Sequence, residues 1–292
     1  MAKYFFGLLF TIFGTALMAQ EFGYGFRAGL SFNTLISDSE TDANGTELES
    51  FTSNTGFHVG AIFTWKATDL MGARAEFIYT QKGGRRTFKG PSYYTFTTTT
   101  DKEILTTGTR ELNLNLTSSY FEFPITGYVK PLEWLEVYGG VSAGFMVASN
   151  VFGNLKYTDG QTSNGIGFDA IDYEIDGNYN TDNINKQIFR NPVKTISIGN
   201  ETVEVPNSVG VYYEFEKDPG RLYKTFELGA VGGISVYLNK GLFVSGRVNY
   251  GLTDITKTNA DVSLAKLENG KFIKRDDKDR NFSIQASIGF SF

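Results

Sequence analysis

The sequence has no cysteine, one histidine, two tryptophans and six prolines in 292 residues. Without cysteine there is no disulfide framework, no thiolate zinc or iron–sulfur site and no cysteine nucleophile. The charge is short on the basic side, 27 Lys+Arg against 32 Asp+Glu for a net of −5. A basic face for general nucleic-acid binding is therefore not expected. After the first twenty residues no apolar run approaches the length of a membrane-spanning helix, and the apolar content is 41%. What is abundant instead is glycine (33), phenylalanine (26) and tyrosine (16). That composition points to short alternating strands.

Residues 1–19 read as a secretory signal peptide. Lys3 precedes an apolar stretch from Tyr4 to about Leu17, and Ala19 is a small residue at the expected cleavage point, with Ala16 the alternative. No cysteine stands at the cleavage site, which excludes a lipoprotein anchor.

Beyond the leader, Phe22, Tyr24, Phe26, Ala28, Leu30 and Phe32 alternate with Gly23, Gly25, Arg27, Gly29, Ser31 and Asn33. A period of two places one set on each face of a strand. The pattern recurs at about 55–66, 70–80, 119–130, 135–148, 225–238, 242–253 and 281–292. Each segment is long enough to cross a bilayer as a tilted strand. The connections alternate between long and short. The short ones are Ala67–Asp69, Pro131–Trp134 and Asn239–Gly241; the long ones are about 36–54, 83–118, 149–224 and 254–280. This segregation predicts an all-β fold: an eight-stranded antiparallel up-and-down transmembrane β-barrel with short periplasmic turns and long external loops.

The two faces of the predicted strands differ sharply. The apolar parity carries no charge in any of the eight segments; the opposite parity carries Arg27, Lys66, Arg74, Glu76, Glu122, Lys130, Glu136, Glu227 and Arg247. A Lys or Arg facing lipid at the midplane costs about 2–4 kcal/mol, which accounts for the first face. An eight-stranded barrel is only wide enough for side chains to fill, so charges on the second face must pair. The expectation is a self-compensated plug built around Arg27, Arg74, Glu76, Glu122, Glu227 and Arg247. The competing reading is a narrow porin whose inward charges select ions or small solutes.

The pieces Ser119–Ile125 (SYFEFPI), Tyr138–Gly144 (YGGVSAG), Leu228–Gly233 (LGAVGG) and Ile288–Phe292 (IGFSF) resemble the small outer-membrane β-barrel family called PorT-like, of Bacteroidetes-type bacteria. The resemblance runs through nearly the whole mature chain in strand order, with Pro124 inside a strand its most distinctive piece. It implies an outer-membrane location and handling of the terminal Phe292 strand by the barrel assembly machinery. It does not imply one activity; the family's name-giving member is linked to a protein-secretion system. A surface or secretion-system protein partner is thus a possibility, beside outer-membrane lipid, for a chain expected to be monomeric. Trp65, and less clearly Trp134, suit an interfacial aromatic girdle next to the short turns.

Sites of chemistry are sparse. His58, the single histidine, falls on the inward face, where a hydrogen-bonding role outweighs that of a general base. No nucleophile elbow, phosphate loop or dinucleotide fingerprint occurs, so no enzyme activity and no cofactor are expected, and a barrel-embedded hydrolase is the least favoured reading. Residues 172–183 place oxygen ligands at every second position with Gly177 sixth, as in a calcium loop, but Asn183 stands where a bidentate Glu belongs. A solvated surface loop is the preferred reading, and no metal ligand is assigned. Thr195–Val205, with its Gly199-Asn200 turn, predicts a hairpin; Tyr93–Thr100 is β-prone, and Val211–Glu216 is placed as an extension of the sixth strand. The negative charge falls mostly in the loops, suiting a partner, a divalent ion or a basic ligand.

Overall fold

The computed structural model describes residues 21–215, 217–258 and 261–292. The predicted leader at 1–19 lies outside the described residues. In chain order the strands are β1 (Glu21–Ile36), β2 (Glu49–Thr52), β3 (Asn54–Lys66), β4 (Met71–Thr97), β5 (Glu103–Leu132), β6 (Leu135–Thr162), β7 (Ile171–Asn178) and β8 (Gln187–Ile188). They continue with β9 (Lys194–Ile198), β10 (Glu201–Val205), β11 (Ser208–Val209), β12 (Phe226–Tyr237), β13 (Leu242–Gly251), β14 (Val262–Glu268), β15 (Lys271–Lys274) and β16 (Arg280–Ser291).

Eight of these close into a ring in the order β1–β3–β4–β5–β6–β12–β13–β16, with β16 returning to β1. Every neighbouring pair in the ring is antiparallel. Closure leaves no unpaired edge within the ring, the condition for a sheet in lipid. The two ends of the chain seal the seam. Phe292 N–H donates to the Tyr24 carbonyl at 2.7 Å, and the two rings stack with centroids 5.0 Å apart. The even spacing of strand residues puts Phe22, Tyr24, Phe26, Leu30, Ile125, Val141 and Ile288 on the exposed outer face. That outer apolar band is the expected lipid-facing surface.

The long connections are not loops in the main. Residues 83–97 and 103–118, expected as a single loop, continue β4 and β5 far past the apolar band, leaving only 98–102 as a turn. β6 likewise runs on to Thr162 and is covered by β7, which pairs with it antiparallel. Above the band the two faces exchange character. On β4 the outward residues change from Ala73, Ala75, Phe77 and Tyr79 to Gln81, Arg85, Thr87 and Lys89, while Phe88 and Phe96 turn inward and are buried. On β5, Leu112, Leu114 and Leu116 are buried and Asn113 and Asn115 exposed. The solvent outside the barrel dictates this exchange: apolar outward against hydrocarbon, apolar inward against water. The hydrophobic core of the molecule therefore sits in this upper section, a crown, around Phe88, Leu116, Val151, Leu155, Tyr157 and Tyr173.

Two local devices accompany the exchange. Gly83, at the level where it begins, has φ +135°, a conformation that side chains other than glycine rarely adopt. A register shift in the β5–β6 ladder, where Val147 on β6 is the extra residue between the partners of Ser119 and Tyr120, moves the inward set of β6 from even positions (Glu136, Tyr138, Met146) to odd ones (Ser149, Val151, Leu155). Ser119 keeps its expected parity on β5 and is covered there by Tyr79, whose hydroxyl donates to it at 2.8 Å.

Other expectations are corrected or met locally. Val211–Glu214 forms turns rather than a strand, its backbone being pinned by Asp182, whose carboxylate accepts from Val211 N–H at 2.8 Å. The hairpin expected at Thr195–Val205 is present as β9–β10, with Gly199 at φ +63° in its turn. The segment from Asp172 to Asp176, expected as a loop, is part of β7; Asp172, Glu174 and Asp176 point out to solvent while Ile171, Tyr173 and Ile175 point in. An extended strand spaces those carboxylates along one face instead of wrapping them around an ion.

Candidate functional site: paired charges in the lumen and a cavity in the crown

Within the apolar band the barrel interior is polar, buried and paired. Arg27, Arg74, Lys82 and Arg247 face Glu76, Glu122, Glu136 and Glu227, and all eight are buried. The four positive and four negative side chains balance. They form three layers. Next to the short turns, Arg74 Nη2 lies 2.6 Å from Glu136 Oε1, with its guanidinium between the rings of Tyr128 and Tyr138. Tyr237 donates its hydroxyl to Glu136 Oε2 at 3.2 Å.

In the middle layer, Arg27 and Arg247 converge on Glu76 Oε2 at 3.4 and 3.0 Å. Two like charges share one carboxylate there, and neutral acceptors relieve them. Arg247 donates through Nε and Nη2 to Gln285 Oε1 at 2.9 and 2.7 Å; Arg27 Nη2 donates to Ser245 and Ser287 hydroxyls at 3.0 and 2.7 Å. In the upper layer, Lys82 Nζ bridges Glu122 at 2.5 Å and Glu227 at 3.1 Å. Asn249 donates to Glu122, and Asn281 to Glu227 and to the Tyr120 hydroxyl. Some buried atoms, Arg74 Nε and Glu76 Oε1 among them, have no partner among the described residues.

His58 is fully inside this lumen, held between the Ser31 hydroxyl at Nδ1 (3.0 Å) and the Ser287 hydroxyl at Nε2 (2.8 Å). Serine on both sides leaves the ring no carboxylate to orient it as a base. Trp65 and Trp134 are both exposed at the short-turn end, Trp134 in the turn itself.

The crown holds a second concentration of polar groups, around a cavity of about 120 Å³. Arg86, Arg110, Tyr179, Tyr213, Asp261 and Asp279 are among its lining residues. Arg110 pairs with Glu214 at 2.7 Å and donates to the Tyr93 carbonyl at 2.8 Å. Burial alone would lower the Arg110 pKa, but the Glu214 carboxylate outweighs it and holds the guanidinium charged. Glu49 on β2 is pinned by Arg86 and by Arg275, the latter at 2.8 Å. Burial raises the Glu49 carboxyl, yet the two arginines prevail and keep it below the ordinary glutamate value. Beside this pair, Asp261, Asp277 and Asp279 bring one carboxylate oxygen each to within 4.8 Å of one another. Burial, then the Asp277 carboxyl and the charge of Asp279, push Asp261 up to about 8.

A closed eight-strand ring with an uncharged exterior band and a paired interior is the build of a protein that lives in the outer membrane. The family described as outer membrane protein beta-barrel domain matches residues 18–257. The chain belongs to that family. Among solved structures it is similar to the attachment invasion locus protein Ail of Yersinia pestis, with 10% identity over 93% of this chain and 99% of that one at a TM-score of 0.36. It is similar to Neisserial surface protein A as well, with 10% identity over 92% and 97% of the two chains and the same TM-score of 0.36. OprG of Pseudomonas aeruginosa gives 12% identity, 92% and 95% coverage and 0.34. No curated protein sequence matches the chain.

In this outer-membrane barrel the six lumen residues expected from sequence are all buried inside and paired, distributed over the three layers. Sequence reasoning also placed Glu136 inward but left it out of the core set, and it missed Lys82 altogether. Lys82 lies two residues past the point where the outward apolar alternation was judged to end. The signal that could have found it is the continuing inward parity, from Glu76 through Ile78 and Thr80 to Lys82. The Asp261, Asp277 and Asp279 cluster was not anticipated; all three fall in the stretch 254–280, expected only as a long external loop.

Proposed function

We propose that this is a non-enzymatic outer-membrane barrel of the PorT-like kind, with a lumen closed by its own ion pairs, which acts by surface binding through an outward-facing crown. The observation that carries the reading is the division of labour along the barrel axis. In the band, each of the eight buried inward charges has a counter-charge within the lumen, as a plug requires. In the crown, a separate hydrophobic core stiffens extended strands that would have no reason to persist if their only task were to connect membrane spans. A structured crown with acidic groups around a cavity supports binding of a ligand or of a surface or secretion-system protein. Export through the leader at 1–19 and a monomeric state belong to the same proposal.

Planar bilayer recording of the refolded chain tests the closed lumen. The expected result is no steady current, with leak appearing in Arg74→Ala and Arg247→Ala. A stable, ion-selective current in the unaltered chain favours the narrow porin instead. Deleting 160–222 and finding every surface interaction intact would remove the binding role from the crown.

A further inference from the structure

We propose that a groove on the outer wall, where β12, β13 and β16 leave the apolar band, binds the phosphate head of an anionic lipid of the outer leaflet. The groove has a volume of about 710 Å³ and is built from three stretches of chain. Lys224 to Phe226 come from the start of β12, Leu252 to Asp254 and Lys257 follow β13, and Lys278 and Arg280 lead into β16.

Its floor and its rim differ in chemistry. Phe226 and Leu252 are exposed and continue the outward apolar face of their strands, the Phe226 ring lying 5.3 Å from that of Phe145. Beside them the lining holds four cations, Lys224, Lys257, Lys278 and Arg280, and a single carboxylate, Asp254.

That carboxylate is already engaged. Asp254 Oδ2 takes Lys224 at 2.5 Å, and Oδ1 accepts from the Thr256 and Asp279 amides at 3.1 and 3.2 Å. Asp279, between the two cations that lead into β16, lines the crown cavity instead and takes the Thr256 hydroxyl. Among the described residues Lys257, Lys278 and Arg280 have no ion-pair partner. Arg280 Nη1 donates to the Tyr250 hydroxyl at 3.2 Å, while its Nε is buried with no acceptor among the described residues. A buried donor without an acceptor is costly, and like charges gathered in one groove repel until an anion joins them. The wall across β4–β7 is mixed by contrast: Lys89 pairs with Glu111 at 2.5 Å, and β7 displays Asp172, Glu174 and Asp176.

The position selects a lipid over a soluble anion. Phosphate oxygens are ordinary partners of guanidinium and ammonium groups. A soluble phosphate would meet the cations and leave Phe226 and Leu252 uncovered. A lipid answers both halves, its head among the cations and its acyl chains along the apolar band below.

This inference rests on the crown facing outward, as proposed above, and not on a closed lumen. The test is native mass spectrometry of the full chain refolded in detergent with equal amounts of phosphatidic acid and phosphatidylcholine, inorganic phosphate being the third probe. One phosphatidic acid retained per barrel, in preference to phosphatidylcholine by about fivefold or more, is the expected result. Retention should fall about tenfold in Lys257→Gln/Lys278→Gln/Arg280→Gln and stay unchanged in Arg85→Gln/Lys89→Gln, which removes two exposed cations from the β4 wall. No preference, equal losses in the two variants, or displacement of the lipid by inorganic phosphate at equal concentration overturns the proposal.

Should the triple variant fail to fold, the unaltered chain decides. Phosphatidic acid should slow acetylation of Lys257 and Lys278 several-fold relative to phosphatidylcholine, with the exposed Lys240 and Lys266 unaffected, and equal rates contradict the site. The two readings fail separately: a conducting barrel that retains the lipid sinks only the plug, and a silent one that does not retain it sinks only the site.

Discussion

Arg247 and Glu76 meet at 3.0 Å inside the barrel, from strands that lie opposite each other in the ring of eight, and neither side chain is exposed at all. The pair is a strut across the lumen, not a contact between neighbours. Tyr120 on β5 and Asn281 on β16 form a second opposite-strand link at 3.3 Å. Side chains that reach the far wall fill the cross-section, and the barrel's small circumference makes that reach possible.

Removing one end of the strut strands a buried charge. Glu76→Gln leaves Arg27 and Arg247 beside each other without their common carboxylate, and the expected cost is about 3–5 kcal/mol. Urea unfolding of the refolded barrel, followed by its loss of strand circular dichroism, measures it. A loss below about 1 kcal/mol would mean that water, not Glu76, carries the two guanidinium charges.

The exchange of faces along β5 and β6 predicts opposite tolerances at two outward positions. Val141, exposed within the apolar band, should lose about 2–4 kcal/mol on substitution by Arg. Asn113, exposed on the crown, should accept Arg within about 0.5 kcal/mol. Equal effects at the two sites would place the boundary of the membrane elsewhere.

Gly83 and Gly246 should differ in the same assay. A Cβ at Gly83 would meet the Leu116 carbonyl oxygen at 2.2 Å on a backbone with φ +135°, whereas one at Gly246 would meet nothing within 4 Å. Gly83→Ala should therefore destabilise by about 1–3 kcal/mol, and Gly246→Ala should be near neutral.

The crown should loosen in acid through Glu49. Its folded-state pKa is held below the ordinary glutamate value, so its pairing with Arg86 and Arg275 contributes stability that is present above that ordinary value. That contribution is lost as pH falls through the lower, folded-state pKa. Protease resistance of the crown should drop on going from pH 7 to pH 3, and Glu49→Gln should lower it at pH 7 while flattening the pH dependence. A Glu49→Gln profile that parallels the unaltered one would remove Glu49 from this role.

The barrel was legible in the sequence because lipid enforces a strict alternation over eight segments. Its inward charges were legible for the same reason, since a charge that cannot face hydrocarbon must face the lumen. Legibility ended where hydrocarbon ends. Phe88, Leu112 and Leu155 alternate as regularly as the membrane residues do, but with the faces exchanged, and a search for apolar-out parity reads them as loop. Lys82 was lost at that boundary. The change of inward parity on β6 was missed because the single extra residue there, Val147, shifts the parity without altering the composition. Asp261 could not be joined to Asp277 and Asp279, because their meeting depends on a hairpin whose strands are short and mostly polar.

The measurement that tests the central claim most directly is single-channel recording of the refolded chain in planar bilayers, with Arg74→Ala and Arg247→Ala beside it. A lumen closed by paired charges gives no steady current in the unaltered chain and a leak in both variants. A stable, ion-selective current in the unaltered chain, shifted by the same two substitutions, would make those charges the lining of a pore and contradict the plug.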